Sequence, residues 1–146
     1  MAALRFEHGD RDCRPGRRAS VTLRVADDDT ARALGSGDVD VLATPRVLAL
    51  SEQAAVLALD DSLPDGRTSV GAWTELEHLV PSSVGEVVTA EAVLLGVHGR
   101  RLEFSVTVTN DRGDEVAHVR HRRIVVNRER FTTQSDAAAA PRVPPS

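Results

Sequence analysis

A carboxylate, a histidine and an arginine interrupt three apolar stretches of this chain. Glu52 lies within the apolar run 41–59, His78 ends an alternating apolar row, and Arg123 stands on the apolar face of the last alternating segment. Burying an ionisable group is unfavourable unless the group is paired or used. Carboxylates and imidazoles are also the usual general bases and proton carriers of enzymes. These positions are therefore the first candidates for chemistry.

Each of these residues also has a purely structural explanation. His78 can be a hydrogen-bonded histidine at the end of a strand. His121 and Arg123 share one face, which can reflect a shifted strand register or an edge strand with two solvated faces. Otherwise this basic pair requires an acidic partner, which Glu52 can supply, or a bound anion. A buried Glu52–Arg123 ion pair by itself would describe a structural dimerisation domain.

The apolar run 41–59 is typical of one buried helix. Thr44 can cap its start, and Pro45 suits the first helical position, where a missing N–H costs nothing. If Thr44 and Glu52 lie on one straight helix, the rise between them is about 12 Å. Their side chains are then too far apart for a direct hydrogen bond.

Strands surround this helix in the sequence. Residues 19–25 alternate and precede a short helix that begins near Asp27 and ends at the glycines of 35–37. After the long helix, alternating segments cover 68–78, 86–97, 102–109 and 115–127. One face of the segment 68–78 is predicted to carry Val70, Ala72, Thr74, Leu76 and His78. Short turns pair neighbouring strands antiparallel, so we predict an α+β fold in which an antiparallel β-sheet wraps around one long apolar helix.

Composition is typical of a soluble globular protein. The chain has 146 residues, of which 41% are hydrophobic and 27% charged, and its net charge is −4. The acidic balance argues against nucleic-acid binding, and no apolar run reaches the length of a membrane span. No zinc-ligand spacing occurs, so no metal is expected. The single cysteine and the lack of a signal-peptide core favour a cytoplasmic protein.

The predicted organisation has three parts. An irregular N-terminal segment covers 1–18, and one folded domain covers 19–131. A domain of this size can bury a sizeable core. The remaining residues, 132–146, are rich in alanine and proline and are predicted to form a disordered tail.

Short motifs occur along the chain in a characteristic order. They are Ala43-Thr44-Pro45, Ser69-Val70-Gly71, Glu77-His78-Leu79-Val80-Pro81, Gly99-Arg100-Arg101-Leu102, His121-Arg122-Arg123-Ile124-Val125 and Glu129-Arg130-Phe131. In order and spacing they resemble the hotdog-fold thioesterases related to fluoroacetyl-CoA thioesterase. The resemblance covers about residues 16–131.

The resemblance implies a hotdog fold and an acyl-CoA thioesterase that hydrolyses a small acyl thioester. The catalytic residues that it implies are Thr44, Glu52 and His78. The substrate-binding residues are Gly71 and Arg123, and His121, on the face of Arg123, is a further candidate. It also implies a homodimer, or a higher oligomer, with active sites at the subunit interface. The substrate is an acyl-CoA or acyl-carrier thioester; coenzyme A belongs to the substrate, and no separate cofactor is expected.

The segment before Thr44 departs from the family pattern. The fluoroacetyl-CoA enzyme has phenylalanines that form a gate there, whereas residues 34–40 of this chain contain no aromatic residue. We therefore expect an acyl group other than fluoroacetyl. Pro45 has no N–H, so an oxyanion contact at this helix start has to come from a later N–H or from the Thr44 hydroxyl.

Two other functions are compatible with the same fold. One is a non-catalytic hotdog domain that binds acyl-CoA without hydrolysing it. The other is a hotdog hydratase or dehydratase, although these usually act through an aspartate and a histidine, whereas this helix carries Thr44 and Glu52. For a thioesterase, Glu52 can activate water or attack the carbonyl itself. Because Glu52 does not reach Thr44 of its own helix, we predict a composite site at a dimer interface.

Overall fold

A computed structural model of the chain describes residues 13–139, with side chains as far as residue 134. Within this range the strands are β1 (Arg18–Arg24), β2 (Arg67–His78), β3 (Val87–His98), β4 (Arg101–Asn110) and β5 (Glu115–Asn127). They form one antiparallel sheet in the order β1-β3-β4-β5-β2. The helices are a 3₁₀ turn at Asp27–Asp29, α1 (Ala31–Leu34), α2 (Thr44–Ala58) and α3 (Arg128–Ala139).

The core lies between α2 and the inner face of the sheet. The buried residues of α2 are Val47, Leu50, Ser51, Ala54, Ala55 and Ala58. Their main neighbours are β1 and β3, so the side of α2 that faces β2 is less covered. The alternation of β4 holds throughout, because Leu102, Phe104, Val106 and Val108 are fully buried. A sheet around one long apolar helix, as predicted, is therefore confirmed.

A β-bulge changes which residues of β2 face α2. The register between β2 and β5 shifts between Gly71 and Trp73, so Ala72 is an extra residue. A Cβ added to Gly71 would lie 2.5 Å from Glu52 Oε2, which shows that Gly71 faces α2. The prediction that Val70 and Ala72 share the inner face is therefore wrong. Strict alternation does not continue through a bulge, where two residues oppose one.

β2 is an edge strand of the sheet. It pairs with β5, and none of the other described strands pairs with its second edge. Most of its side chains are exposed, including Trp73, whose ring lies 4.3 Å from the Arg122 guanidinium carbon. Free N–H and C=O groups along an exposed edge can pair with another chain.

The start of α2 differs from the sequence expectation. Ala43 is the N-cap residue and makes no side-chain cap, whereas Thr44 is already helical and Pro45 follows in the first turn. Thr44 does not cap the helix because its hydroxyl bonds to His78, 2.9 Å away. The short helix α1 behaves as expected, since Gly35 ends it in the left-handed conformation at φ 70°.

The described chain extends beyond the sheet at both ends. Cys13 is buried, and Arg17 donates hydrogen bonds to the carbonyls of Ala58 and Asp60 at the end of α2, so residues 13–17 lie against the domain. At the other end, α3 runs from Arg128 to Ala139, and disorder of the segment 132–146 stays a prediction. Residues 1–12 and 140–146 lie outside the described part of the chain. No helix between residues 13 and 139 is long and apolar enough to cross a membrane.

Candidate active site

The six candidate residues fall into two groups. The first group is Thr44 and His78, and the second is Glu52, Gly71, His121 and Arg123. No hydrogen bond or ion pair between described side chains joins the two groups. The expected separation of Glu52 from Thr44 along α2 is therefore present in the single chain.

Thr44 and His78 meet because two element ends meet. Thr44 is the first residue of α2, and His78 is the last residue of β2. The chain before α2 is fixed to its surroundings, because Leu42 N–H donates to the Ser82 carbonyl at 2.8 Å. The Thr44 Oγ1–His78 Nδ1 distance of 2.9 Å is that of a hydrogen bond.

His78 is well suited to accept a proton from Thr44. Burial lowers the pKa of His78 below its ordinary value, and polar contact with the Val80 backbone opposes this only in part. The ring is therefore neutral at neutral pH, and Nδ1 can accept the hydrogen of the Thr44 hydroxyl. The other nitrogen, Nε2, is shielded from solvent and meets no partner of hydrogen-bond geometry among the described residues.

The N–H groups at the start of α2 are unevenly used. Arg46 and Val47 both donate to the Ala43 carbonyl at 3.0 Å, and Pro45 has no N–H. The Thr44 N–H donates to no group in the described part of the chain. Because the single hydrogen of the Thr44 hydroxyl is directed at His78, the donor left for an oxyanion at this helix start is the backbone N–H of Thr44.

Arg123 holds Glu52 from the neighbouring sheet. Arg123 Nη1 lies 2.9 Å from Glu52 Oε2, while Arg123 Nε and Nη2 donate to the hydroxyl and carbonyl of Ser69 at 2.9 and 3.1 Å. The Arg123 side chain is only 7% exposed, and its planar guanidinium presents several donors to the groups around it. Glu52 is less buried than expected, with 38% of its side chain exposed, and its Oε1 makes no hydrogen bond to the described residues.

His121 lies directly behind this pair. Its Nδ1 is 3.0 Å from the Trp73 carbonyl, and its Nε2 is 3.1 Å from Arg123 Nη1 and 3.6 Å from Glu52 Oε2. The side chain is 3% exposed. Burial and then the Arg123 charge lower the pKa of His121, against smaller opposing effects of the Trp73 carbonyl and Glu52. Both ring nitrogens thus have protein partners, and direct contact of His121 with substrate stays a prediction.

Ser69 was not identified as a site residue from the sequence. Its hydroxyl and carbonyl receive two of the Arg123 hydrogen bonds. The only sequence signal was its place in the motif Ser69-Val70-Gly71. Without the bulge, alternation would have turned Ser69 away from the face that carries His78.

An open groove begins at the Glu52–Arg123 pair. It has a volume of about 720 Å³ and follows the outward face of α2 past Ala49, Val56 and Leu57. It is large enough for an acyl group next to Glu52. Within residues 13–139, no cluster of His, Cys, Asp or Glu side chains has the arrangement needed to hold a metal ion.

Comparison with known proteins links this chain to one family. A family model described as fluoroacetyl-CoA-specific thioesterase matches residues 25–129. A fluoroacetyl-CoA thioesterase from Streptantibioticus cattleyicolor is 34% identical over 95 residues, which cover 65% of this chain and 68% of that protein. A variant of the thioesterase FlK solved with acetyl-CoA is 28% identical, with a TM-score of 0.81 over 86% of this chain and 98% of that chain. A hot-dog-like protein from Thermanaerovibrio acidaminovorans is 26% identical, with a TM-score of 0.79 over 88% and 94% of the two chains. These structures confirm the expected hotdog fold.

Proposed function

Because this chain belongs to the fluoroacetyl-CoA-specific thioesterase family and is an acyl-CoA thioesterase, we propose that two copies of it form composite sites from Thr44, His78 and Glu52. The observation that carries this proposal is the division of these residues into two groups. Thr44 bonds to His78, whereas Glu52 bonds to Arg123. A second copy of the chain can bring the missing half to each group.

The free edge of β2 supports this assembly. In an antiparallel pair without a bulge, the numbers of opposite residues have a constant sum, as in the β1–β3 ladder. If two copies of β2 pair about a two-fold axis between Trp73 and Thr74, and the pairing stays regular through Ala72, His78 of one chain lies opposite Ser69 of the partner subunit. The Thr44–His78 pair of one subunit then approaches Glu52 of the partner subunit.

Thioester hydrolysis in such a site needs three events. Glu52 either removes a proton from the attacking water or attacks the carbonyl carbon itself, using the oxygen that Arg123 leaves free. The carbonyl oxygen becomes an oxyanion, which the N–H of Thr44 stabilises at the helix N-terminus. The carbon–sulfur bond breaks, and His78 relays a proton to the leaving thiolate. After direct attack, water then hydrolyses the acyl–Glu52 anhydride.

Arg123 and Gly71 are the proposed substrate contacts. A guanidinium has five N–H donors. Four of those of Arg123 are directed at Ser69, Glu52 and His121, so one hydrogen on Nη2 remains for a substrate oxygen. Gly71 has no side chain, so Glu52 Oε2 lies close to the backbone of β2, and a substrate that reacts at Glu52 meets that backbone.

The acyl group is proposed to differ from fluoroacetyl. Residues 34–40, which precede the catalytic helix, contain no aromatic residue, and Leu34 and Val39 are about half exposed. An aliphatic and polar rim cannot reproduce a phenylalanine gate. The groove beside Glu52 adds room for a short- or medium-chain or aryl acyl group.

The main test is thiol release from a panel of short-, medium- and aryl-acyl-CoA substrates. Glu52→Gln should lower kcat on the best substrate by about 10²-fold or more, because the variant loses its base or nucleophile. Glu91→Gln is the matched control, since Glu91 is an exposed residue on the outer side of β3, between the buried Ala90 and Ala92, and its rate should match the wild type. Unchanged hydrolysis in Glu52→Gln would rule out a catalytic Glu52.

Mixed dimers test the composite site directly. Thr44→Ala and Glu52→Gln chains, inactive alone, should regain part of the activity when refolded together, because one of the two interface sites then has all three wild-type residues. No recovery in a verified heterodimer would contradict the composite arrangement. Thermal stabilisation by acyl-CoA without any thiol release would instead indicate a binding domain.

A further inference from the structure

The two ring nitrogens of His121 have partners of opposite kinds. Nδ1 lies 3.0 Å from the Trp73 carbonyl oxygen, and Nε2 lies 3.1 Å from Arg123 Nη1. A carbonyl oxygen only accepts hydrogen bonds, so Nδ1 must carry a hydrogen. A guanidinium only donates, so Nε2 must be the acceptor. The contacts therefore select one neutral tautomer of His121, with its hydrogen on Nδ1.

This tautomer is linked to the bulge of β2. The register shift lies between Gly71 and Trp73, and the Trp73 carbonyl beside it accepts the His121 hydrogen. Burial and the neighbouring Arg123 charge lower the pKa of His121, so the neutral ring is also the favoured state. A protonated ring would place a second positive charge and no acceptor against Arg123.

We infer that His121 is a positioning residue, which uses its Nε2 lone pair to fix Arg123 so that Glu52 is held by one oxygen. Trp73 orients His121, and Arg123 transmits this orientation to Glu52 Oε2 at 2.9 Å. Glu52 Oε1 remains directed at the substrate side. The inference rests on the proposed role of Glu52, because it says how that carboxylate is held ready.

Ser69 cannot replace this contact. It accepts hydrogen bonds from Nε and Nη2 of Arg123, whereas Glu52 and His121 share Nη1. The acceptor on His121 therefore controls the same nitrogen that binds Glu52. Loss of that acceptor leaves Nη1 with one buried hydrogen unbonded and loosens the orientation of the carboxylate.

A matched pair of variants separates the two ring nitrogens. The His121→Asn amide can occupy the Nδ1 position and keep the bond to the Trp73 carbonyl, but it leaves no acceptor near Nε2. The His121→Gln side chain reaches further, and its oxygen can replace the Nε2 acceptor. We expect kcat to fall about tenfold or more in His121→Asn with little change in KM, and to fall less than threefold in His121→Gln. His118→Asn, on the exposed face of β5, is the control and should leave both constants unchanged.

The outcomes separate this inference from the proposed function. If the wild type hydrolyses acyl-CoA but the Asn and Gln variants are equally impaired or equally active at unchanged melting temperature, the positioning role is wrong. If Glu52→Gln keeps the wild-type rate, the proposed function fails instead. Nitrogen-15 NMR of the His121 ring decides the geometry without any assay: the inference requires a protonated Nδ1 and an unprotonated Nε2. A ring protonated on Nε2 at pH 7 would overturn it whatever the activity.

Discussion

The group around Glu52 and the Thr44–His78 pair lie towards opposite ends of β2, and they differ in how completely they are hydrogen-bonded. Arg123 is 7% exposed and bonds to the surrounding side chains and backbone. Thr44 is exposed and makes a single side-chain bond to His78, whose Nε2 has no partner of suitable geometry among the described groups. A single chain thus holds the Glu52 carboxylate in place through Arg123, whereas its Thr44–His78 pair has few supporting contacts.

This difference indicates which contacts fix the side-chain geometry of each group. The carboxylate end is held by the sheet of its own chain, since the hydrogen bond and ion pairs given for Glu52 come from β5, and Gly71 at the bulge of β2 lies beside it. The Thr44–His78 end is held only at the tips of α2 and β2 and faces the free strand edge. Catalytic groups need supporting contacts to keep their geometry. We therefore expect substitutions near Glu52 to act within one chain and those near Thr44 to act at the proposed interface.

The largest effect is expected from Gly71→Ala. The new Cβ would lie 2.5 Å from Glu52 Oε2, and that oxygen cannot move away freely because Arg123 holds it. We expect kcat to fall by about 10²-fold, since a displacement of about 1 Å at a reacting group can have that effect. Steady-state hydrolysis of the best acyl-CoA measures it.

Gly96→Ala is the matched control for this substitution. Its Cβ would lie 2.9 Å from His98 Nε2, but His98 is exposed and its side chain can rotate away. Its kcat should remain close to that of the wild type. Wild-type activity in Gly71→Ala would show that the close approach of Gly71 to Glu52 has no role in the reaction.

An intermediate effect is expected at Thr44. Thr44→Val keeps the shape but removes the hydroxyl, and we expect kcat to fall about 10- to 100-fold, whereas Thr44→Ser should stay within about fivefold. Neither change should lower the melting temperature appreciably, because Thr44 does not cap α2.

Thr30→Val provides the contrast in stability. The Thr30 hydroxyl accepts a hydrogen bond from Ala33 N–H and caps α1, so its loss should cost about 1 kcal/mol in the free energy of unfolding. Thermal unfolding compares the two variants. A large loss of stability in Thr44→Val with normal kcat would assign Thr44 a structural role only.

The smallest effect is expected in the pH dependence of stability. Burial lowers the pKa values of His78 and His121 in the folded state, so below about pH 6.5 the unfolded chain binds more protons at these positions. The free energy of unfolding should therefore change little above this pH and fall as the pH is lowered from 6.5 towards 5.5. Urea unfolding at pH 7.5 and 5.5 measures the fall.

Histidine variants show which half of the site contributes to this fall. His121→Gln should reduce it more than His78→Gln, because His121 is almost fully buried whereas His78 is only partly buried. If the variant that carries both His78→Gln and His121→Gln loses as much unfolding free energy at low pH as the wild type, other groups cause the pH dependence.

The elements of the fold were predictable because their periodicities are simple. The apolar run around Val47 and Leu50 gave α2, and the alternation around Phe104 gave β4. The sequence also identified Glu52 and Arg123 as polar residues on inner faces, and they do form a pair. Such pairs are visible in a sequence because an unpaired buried charge is too costly to keep.

The missed features depend on local backbone geometry and on contacts between distant residues. The extra residue Ala72 changes which residues of β2 face α2, and no feature of the composition signals it. The sequence pattern therefore did not show that Ser69 contacts Arg123. The choice of Thr44 between capping α2 and bonding His78 depends on where β2 ends, 34 residues later. Pattern reasoning treats each element alone, so it cannot decide between two partners from different elements.

The edge position of Trp73 has a practical consequence. It is the only tryptophan of the chain, and the chain has no tyrosine. Its indole is 40% exposed on the free strand and lies against the Arg122 guanidinium. Nearly all the intrinsic near-ultraviolet fluorescence of this protein therefore comes from one position on the β2 edge, which makes the emission spectrum a natural reporter of whether that edge is in water or covered.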